Sequence, residues 1–331
     1  MTAALVLRGA AGAQQLTFTP YHADGIYDVG ERVGWHVAVA LGQTAGGRTY
    51  TYTLKRDGLA VIGRGTLDPS SGRATIEASL DRPGMLLVEV RPPAGTTGFH
   101  GASKSEVGRV LLGAAVAPRR IRPSGRRPPD FDAFWAAELR RLDSVPADPV
   151  LTPGESGRAD VEYFTIRMNN VRGAHIYGQL ARPEGGGPTL PALLILQWAS
   201  PPYPLERQWV TDYAAQGWLV LNVEPHDVPA DMPQAFYDAL PQLIKSYGLI
   251  GRHSRDESYF LSMYLGDYRA AEYLASRADW DGRTLVVMGT SMGGQQGFAV
   301  AGLDSRVSAL IANVPAGCDL VGPLAGRAAP R

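Results

Sequence analysis

Lysine plus arginine equals aspartate plus glutamate, at 32 residues each, in a chain of 331 residues. This balance argues against a nucleic-acid partner or an anionic membrane surface, because both favour an excess of basic residues. The one cysteine, Cys318, excludes an internal disulfide framework, and no apolar run reaches the roughly 20 residues of a membrane helix.

Residues 1–117 contain short segments in which apolar and polar residues alternate, separated by turn dipeptides such as Asp24-Gly25 and Asp57-Gly58. The segments predicted as strands are residues 35–40, 50–54, 74–80, 85–90 and 107–116. This spacing predicts a small all-β, immunoglobulin-like sandwich as an accessory domain. We expect a structural or oligomerisation role for it, with carbohydrate binding through exposed aromatic side chains as the alternative.

Residues 118–130 hold four prolines and five arginines and are predicted to be an interdomain linker. The arginines favour a solvated linker over a site for an anionic partner. Asp130 is the expected N-cap of a helix that follows the two prolines before it. Apolar residues at helical spacing predict a buried face of this helix, formed by Phe131, Phe134, Trp135, Leu139 and Leu142.

Strand and helix patterns alternate through residues 131–331. The predicted strands are residues 161–168, 175–181, 191–196, 218–223, 284–288 and 307–312, and the main predicted helices are residues 204–215 and 258–276. This order predicts an α/β domain with a doubly wound, mostly parallel sheet, whose sites lie at the carboxyl ends of the strands. We expect the apolar strand 307–312 to form a sheet edge that favours aggregation or pairing with a second copy.

The pentapeptide Gly289-Thr290-Ser291-Met292-Gly293 lies between an apolar predicted strand and a predicted helix rich in small residues. This context is typical of the G-x-S-x-G nucleophile elbow of serine hydrolases, in which the serine occupies a tight, strained turn. Ser291 is therefore the predicted nucleophile. The alternative is a glycine-rich turn that carries an inert serine.

Two further loops follow predicted strands at the same sheet edge, at residues 197–199 and 224–227, and should converge on Ser291. His226 is the histidine on this face, and it is a candidate substitute base or a pocket residue. Three acidic residues are expected on helix surfaces or at helix caps: Asp267, Glu272 and Asp304.

Three stretches together resemble the acetyl xylan esterase / cephalosporin C deacetylase family of α/β-hydrolases: residues 129–135, residues 176–183 and residues 289–296. The resemblance extends from about residue 128 to the C terminus. It implies a serine esterase that removes acetyl groups from sugars or small molecules without a metal or cofactor. It assigns Ser291 as the nucleophile and the backbone N–H of Met292 as an oxyanion donor.

The chain departs from this family after the strand at residues 191–196, where the family commonly has His-Gly-Tyr. Here the residues are Gln197-Trp198-Ala199, and the nearest tyrosine is Tyr203. Gln197, Trp198, Tyr203 and His226 are therefore candidate oxyanion or pocket residues.

The triad aspartate and histidine of the family lie well beyond the serine, and we do not identify them in this chain. We therefore expect the hydrolase domain, residues 131–331, to be incomplete at its C terminus. Two alternatives to an esterase are an inactive relative that serves as a binding module and a serine peptidase of the same fold. The sequence leaves the location open between secreted, periplasmic and cytoplasmic.

Overall fold

A computed structural model describes residues 16–40, 49–69, 74–93, 109–187, 189–198 and 202–328. The chain divides into two compact units, one formed by Met1–Arg126 with Asp319–Pro330 and the other mainly by Arg127–Cys318. Ala199 and residues 107–108 of a predicted strand lie outside the described residues. None of the described helices is long and apolar enough to cross a membrane.

The first unit is built from strands, which form a three-stranded and a five-stranded sheet among its described residues. In chain order the strands are β1 (Leu16–Pro20), β2 (Ile26–Tyr27), β3 (Val33–Val39), β4 (Tyr50–Arg56), β5 (Ala60–Leu67), β6 (Ala74–Ala78), β7 (Gly84–Arg91) and β8 (Val110–Val116). The sheet orders are β1-β3-β6 and β2-β8-β7-β4-β5. Buried side chains of both sheets, among them Trp35 and Tyr50, form one apolar cluster. The immunoglobulin-like topology stays a prediction.

The second unit is an α/β domain, as predicted, but its sheet of seven described strands is mixed and not mostly parallel, because β9, β10 and β11 join it through antiparallel pairings. The strands are β9 (Val150–Gly154), β10 (Val161–Asn169), β11 (His175–Pro183), β12 (Leu190–Leu196), β13 (Leu219–Val223), β14 (Trp280–Thr290) and β15 (Ala309–Asn313). Their order is β15-β14-β12-β13-β11-β10-β9, and the pairings from β15 to β13 are parallel while those from β13 to β9 are antiparallel. The helices are α1 (Phe131–Asp143), α2 (Arg207–Ala214), α3 (Gln234–Asp238), α4 (Gln242–Lys245), α5 (Tyr259–Ser276) and α6 (Met292–Leu303).

The central strands β12 and β13 are mostly apolar because helices cover both faces of the sheet. Alternate residues point to opposite faces, so Leu194 packs with α5 and α6 whereas Leu193 packs with α2. Every residue of β13 is buried. These two apolar layers hold the strand ends, and therefore the loops after them, in a fixed register.

Helix α1 begins at the predicted position, but Asp130 does not cap it with its side chain. The Asp130 carboxylate instead accepts a hydrogen bond from Arg255 at 2.5 Å. Leu142 of the predicted apolar face is buried against Leu261 and Leu265, as expected for a docking helix. Phe131, at the start of that face, remains 37% exposed.

Strand β15 lies at one edge of the described sheet and pairs only with β14. Ile311 in the middle of this strand is 46% exposed, and Val314 just after it is 80% exposed. The described residues therefore present an apolar edge strand, while aggregation or dimer formation through it stays a prediction.

Candidate active site

Three parallel strands end at the same level of the sheet. Leu196 of β12 pairs with Val223 of β13 on one side and with Gly289 of β14 on the other. The residues that follow these strands, from Gln197, Glu224 and Thr290 onward, therefore emerge side by side at the carboxyl edge, where sites form in α/β sheets.

Ser291 occupies the turn between β14 and α6 in a backbone conformation that L-residues rarely adopt, with φ of 56° and ψ of −116°. Its N–H donates to the carbonyl oxygen of Asn313 at 2.9 Å, and its own carbonyl oxygen accepts from the N–H of Ala316 at 2.8 Å. Such strain persists only where the surroundings enforce it, and it is common at catalytic residues. The predicted elbow geometry is therefore present, and the side chain of Ser291 is half-buried at the sheet edge.

The two glycines of the elbow are required by close backbone contacts. A Cβ atom on Gly289 would lie 2.2 Å from the carbonyl oxygen of Gly293, and one on Gly293 would lie 2.0 Å from the carbonyl oxygen of Leu196. Neither backbone atom can move aside as a flexible side chain could. Strand, turn and helix therefore approach each other only because both positions lack a side chain.

Met292 is the first residue of α6. Its N–H lies in the first helical turn, where backbone donors have no acceptor within the helix. The positive end of the helix dipole adds to this donor. The end of α6 next to Ser291 can therefore stabilise negative charge that develops on a substrate oxygen.

The loop after β12 is fixed by hydrogen bonds to Gln197. The buried Gln296 of α6 donates through Nε2 to the carbonyl oxygen of Gln197 at 2.9 Å. The Tyr203 hydroxyl lies 3.1 Å from both Gln197 Oε1 and the carbonyl oxygen of Trp198. The Tyr203 ring stacks on Trp198, with ring centroids 5.7 Å apart and planes at 13°.

An aromatic cleft of about 560 Å³ lies beside the elbow. Its lining includes Trp198, Trp209 and Tyr213 together with Gly289 and Thr290 of the elbow. The structure thus brings the sequence-predicted residue Trp198 to the strand side of the elbow, and it adds two aromatic side chains from α2 that sequence reasoning did not identify.

His226 lies in a different cavity, of about 160 Å³, between β13 and α5. Its ring is buried, with Nδ1 3.0 Å from the Tyr259 hydroxyl. Glu224 and Asp267 line the same cavity. Asp267 is only 1% exposed, so its expected position on a helix surface was wrong. The structure places His226 among these groups and not in the cleft beside Ser291, and its role stays a prediction.

In this cavity both side-chain oxygens of Glu224 and Oδ2 of Asp267 are buried, and within the described part of the chain none of these three atoms has a hydrogen bond of ordinary geometry. Burial raises the pKa of each carboxyl group well above its ordinary value, and for Glu224 the His226 backbone N–H offsets a part of this effect. In the described ranges, no three histidine, cysteine or acidic side chains are grouped to hold a metal ion.

A buried row of three amides and a carboxylate, here called the amide relay, leads away from the loop after β12. Gln197 Nε2 donates to Asn222 Oδ1 at 2.7 Å, Asn222 Nδ2 donates to Gln179 Oε1 at 3.3 Å, and Gln179 Nε2 donates to Asp231 Oδ1 at 2.6 Å. Sequence reasoning did not identify its members other than Gln197. The available signal was Asn222, a polar residue inside the otherwise apolar strand β13; Asn222 and Gln179 are both fully buried.

Comparison with protein families gives a match between residues 119–321 and the family model described as acetyl xylan esterase (AXE1). Acetyl esterase Axe7A of Xylanibacter ruminicola is 29% identical over an alignment of 314 residues. The alignment covers 93% of this chain and 69% of that protein.

Solved structures that match this chain include the acetyl xylan esterase of Paenibacillus sp. R4, with 22% identity and a TM-score of 0.49. Acetyl xylan esterase 1 of Thermoanaerobacterium sp. JW/SL YS485 is 21% identical, with a TM-score of 0.48. The matches cover 57% and 58% of this chain, and this chain spans 60% and 61% of the two solved chains, respectively.

Proposed function

The chain belongs to the acetyl xylan esterase family, and we propose that it is a serine carboxylic-ester hydrolase that deacetylates carbohydrates through an acetyl-enzyme on Ser291. The observation that carries this proposal is the strained turn of Ser291 at the carboxyl edge of the sheet, directly before α6. An inert serine in a glycine-rich turn would not require this combination of strain, close backbone contact and helix position.

In the proposed reaction, Ser291 Oγ attacks the carbonyl carbon of an acetyl ester while its proton passes to a base. The tetrahedral intermediate carries its negative charge on the former carbonyl oxygen, which accepts a hydrogen bond from the Met292 N–H. The sugar hydroxyl then leaves with a proton, and the acetyl group remains on Ser291. Attack by water releases acetate and restores the serine.

The loop after β12 is the proposed source of the second oxyanion donor. Gln197 and Trp198 follow β12 level with the elbow, and Gln296 ties the Gln197 carbonyl to α6. Removal of one such donor costs about 2.7 to 4 kcal/mol of transition-state stabilisation in comparable enzymes. Trp198 and Trp209 in the adjacent cleft offer flat apolar surfaces on which the less polar face of a sugar ring can pack.

The proposal is tested with p-nitrophenyl acetate and an acetylated xylo-oligosaccharide, comparing wild type with Ser291→Ala. We expect Ser291→Ala to abolish hydrolysis of both esters. A fluorophosphonate should label wild type once, at Ser291, as located by peptide mass mapping. Ser276→Ala, which changes a serine near the C-terminal end of α5, is the matched control and should keep full activity and labelling.

Two results would overturn this proposal. Ester hydrolysis that persists at the wild-type rate in Ser291→Ala would exclude Ser291 as the nucleophile. Cleavage of a peptide anilide without hydrolysis of the acetyl esters would indicate a peptidase of the same fold.

A further inference from the structure

We propose that Asp231, acting through Gln179 and Asn222, sets the orientation of the Gln197 side chain and thereby positions Tyr203, whose ring stacks on Trp198 beside the elbow. These are positioning residues, because they act through Gln197 and do not touch the reacting atoms. The inference rests on the proposed function for its catalytic consequence, while the direction of the relay can be tested without it.

The orientation of Gln179 is fixed by two acceptors. Its Nε2 lies 2.6 Å from Asp231 Oδ1 and 3.2 Å from the carbonyl oxygen of Leu205. A carboxylate and a backbone carbonyl only accept hydrogen bonds, so the amide must present its NH2 group to both. Its Oε1 therefore has to face Asn222.

This orientation propagates along the relay. Gln179 Oε1 needs a donor, so Asn222 presents Nδ2 to it and Oδ1 to the other side. Asn222 Oδ1 then accepts from Gln197 Nε2 at 2.7 Å, and Gln197 Oε1 is left facing the loop. All three amides are nearly or fully buried, so a reversed amide would leave buried atoms unpaired at a cost of about 1 to 3 kcal/mol each.

The orientation of Gln197 affects the cleft through Tyr203, whose ring stacks on the cleft residue Trp198. Because Gln197 presents Oε1, the Tyr203 hydroxyl is its donor, with the Trp198 carbonyl oxygen also within 3.1 Å. Tyr203 thus connects the relay to the backbone of the loop, and its ring supports Trp198 from one side. The relay therefore determines that Gln197 presents its oxygen, and not its NH2 group, to Tyr203.

The carboxylate end of the relay is held firmly. Asp231 has a left-handed backbone, with φ of 62°, which is unfavourable for a non-glycine residue. Its Oδ2 accepts from the Tyr163 hydroxyl, and an Arg207 nitrogen lies 3.6 Å away. These contacts keep an anionic acceptor at one end of a buried row of neutral amides.

Exchanging the amide and the carboxylate between positions 179 and 231 tests the direction of the hydrogen bonds along the amide relay. Gln179→Glu alone places a carboxylate oxygen where Nε2 now faces Asp231, so two acceptors oppose each other. Asp231→Asn alone should be milder, because the new amide can keep its oxygen towards Gln179. In the double variant the new amide at position 231 can donate to the new carboxylate at position 179. That carboxylate can still accept from Asn222, which leaves the Gln197 orientation unchanged.

We expect Gln179→Glu to lower kcat for p-nitrophenyl acetate about tenfold, with a smaller change in KM, from the loss of one buried hydrogen bond. The double variant should regain most of this loss. The Gln197 side-chain NH2 signals in ¹⁵N NMR should be protected from exchange in wild type and in the double variant, and exchange faster in Gln179→Glu.

Asp279→Asn is the matched control, since it removes a partly buried, ion-paired carboxylate. Asp279 lies just before the N-terminal end of β14, whereas the elbow follows the C-terminal end of that strand. It should lower the urea midpoint without changing kcat. The proposal is overturned if the two single effects simply add in the double variant, or if Gln179→Glu behaves like Asp279→Asn. If wild type shows no Ser291-dependent activity, the proposed function fails, and the exchange of the Gln197 NH2 still decides the direction of the relay.

Discussion

Replacement of Gly293 by alanine should push the start of helix α6 away from the end of strand β12. The added Cβ would lie 2.0 Å from the carbonyl oxygen of Leu196 and 2.8 Å from its carbon, whereas real Cβ atoms essentially never approach within 3.0 Å. Helix α6 and the end of β12 must therefore move apart by about 1 Å. Overpacking of this kind costs roughly 1 to 3 kcal/mol, and the upper end applies here because the opposing group is backbone.

The same displacement moves Ser291 away from the loop after β12. A misplacement of about 1 Å in a catalytic group costs roughly 100-fold in rate. Urea unfolding and p-nitrophenyl acetate hydrolysis of Gly293→Ala measure the two effects separately. Both should change, and the loss of rate should exceed the loss expected from the unfolded fraction alone.

Gly302 provides the matched control in the same helix. A Cβ atom there meets nothing within 4 Å, so Gly302→Ala should stabilise the protein by about 0.5 to 1 kcal/mol through helix propensity. Its rate should equal that of wild type. If Gly293→Ala also kept wild-type stability and rate, the close contact between α6 and β12 would not be what constrains the elbow.

Three further predictions concern other parts of the second unit. Asp267 keeps its proton in the folded state at pH values where the unfolded chain has lost it, because burial raises its pKa. The contribution of Asp267 to stability should therefore fall as pH rises above about 4. Asp267→Asn should remove this contribution, so that the difference in stability between wild type and variant changes with pH in urea titrations from about pH 4 to 8; a difference that is constant with pH would refute the burial argument. Ile311→Lys should reduce self-association, measured by sedimentation velocity. Leu243→Lys, which changes an exposed apolar side chain outside the β15 edge, is the control. Equal self-association of the two variants would exclude the β15 edge as the surface through which copies associate. His226→Gln should lower the rate far less than Ser291→Ala, because His226 lies in the separate cavity, whereas an equal loss would identify it as the base.

The elbow could be predicted from sequence because its determinants are local. Glycines two residues before and after Ser291, an apolar strand and a helix rich in small residues all lie within about twenty residues of one another. The same holds for β12 and β13, whose continuous apolar runs reflect burial on both faces. Their observed bounds, Leu190–Leu196 and Leu219–Val223, differ by one residue from the predicted ones.

The positions of Asp267 and the relay could not be predicted because they depend on which strands become neighbours. Gln179 and Asn222 are 43 residues apart and meet only because β11 pairs antiparallel with β13 in that register. A shift of one strand by one residue would send its polar side chain to the opposite face of the sheet and separate the two amides. The burial of Asp267 was missed for a related reason. An acidic residue on a helix is normally predicted to face solvent, and only the packing of α5 on the sheet shows that this one is buried.

Gln197 is held both by the elbow helix α6 and by the buried amides of the neighbouring strands. Its carbonyl oxygen is held by Gln296 of the elbow helix, and its side chain is the first amide of the relay. The buried side-chain amide of Gln197 requires a hydrogen-bond partner within the sheet. Asn222 supplies that partner, and Gln179 then satisfies Asn222 in turn. Gln197, Asn222 of the neighbouring strand β13 and Gln179 of β11 thus satisfy one another's hydrogen bonds, which explains how the apolar layers around these strands tolerate buried amides.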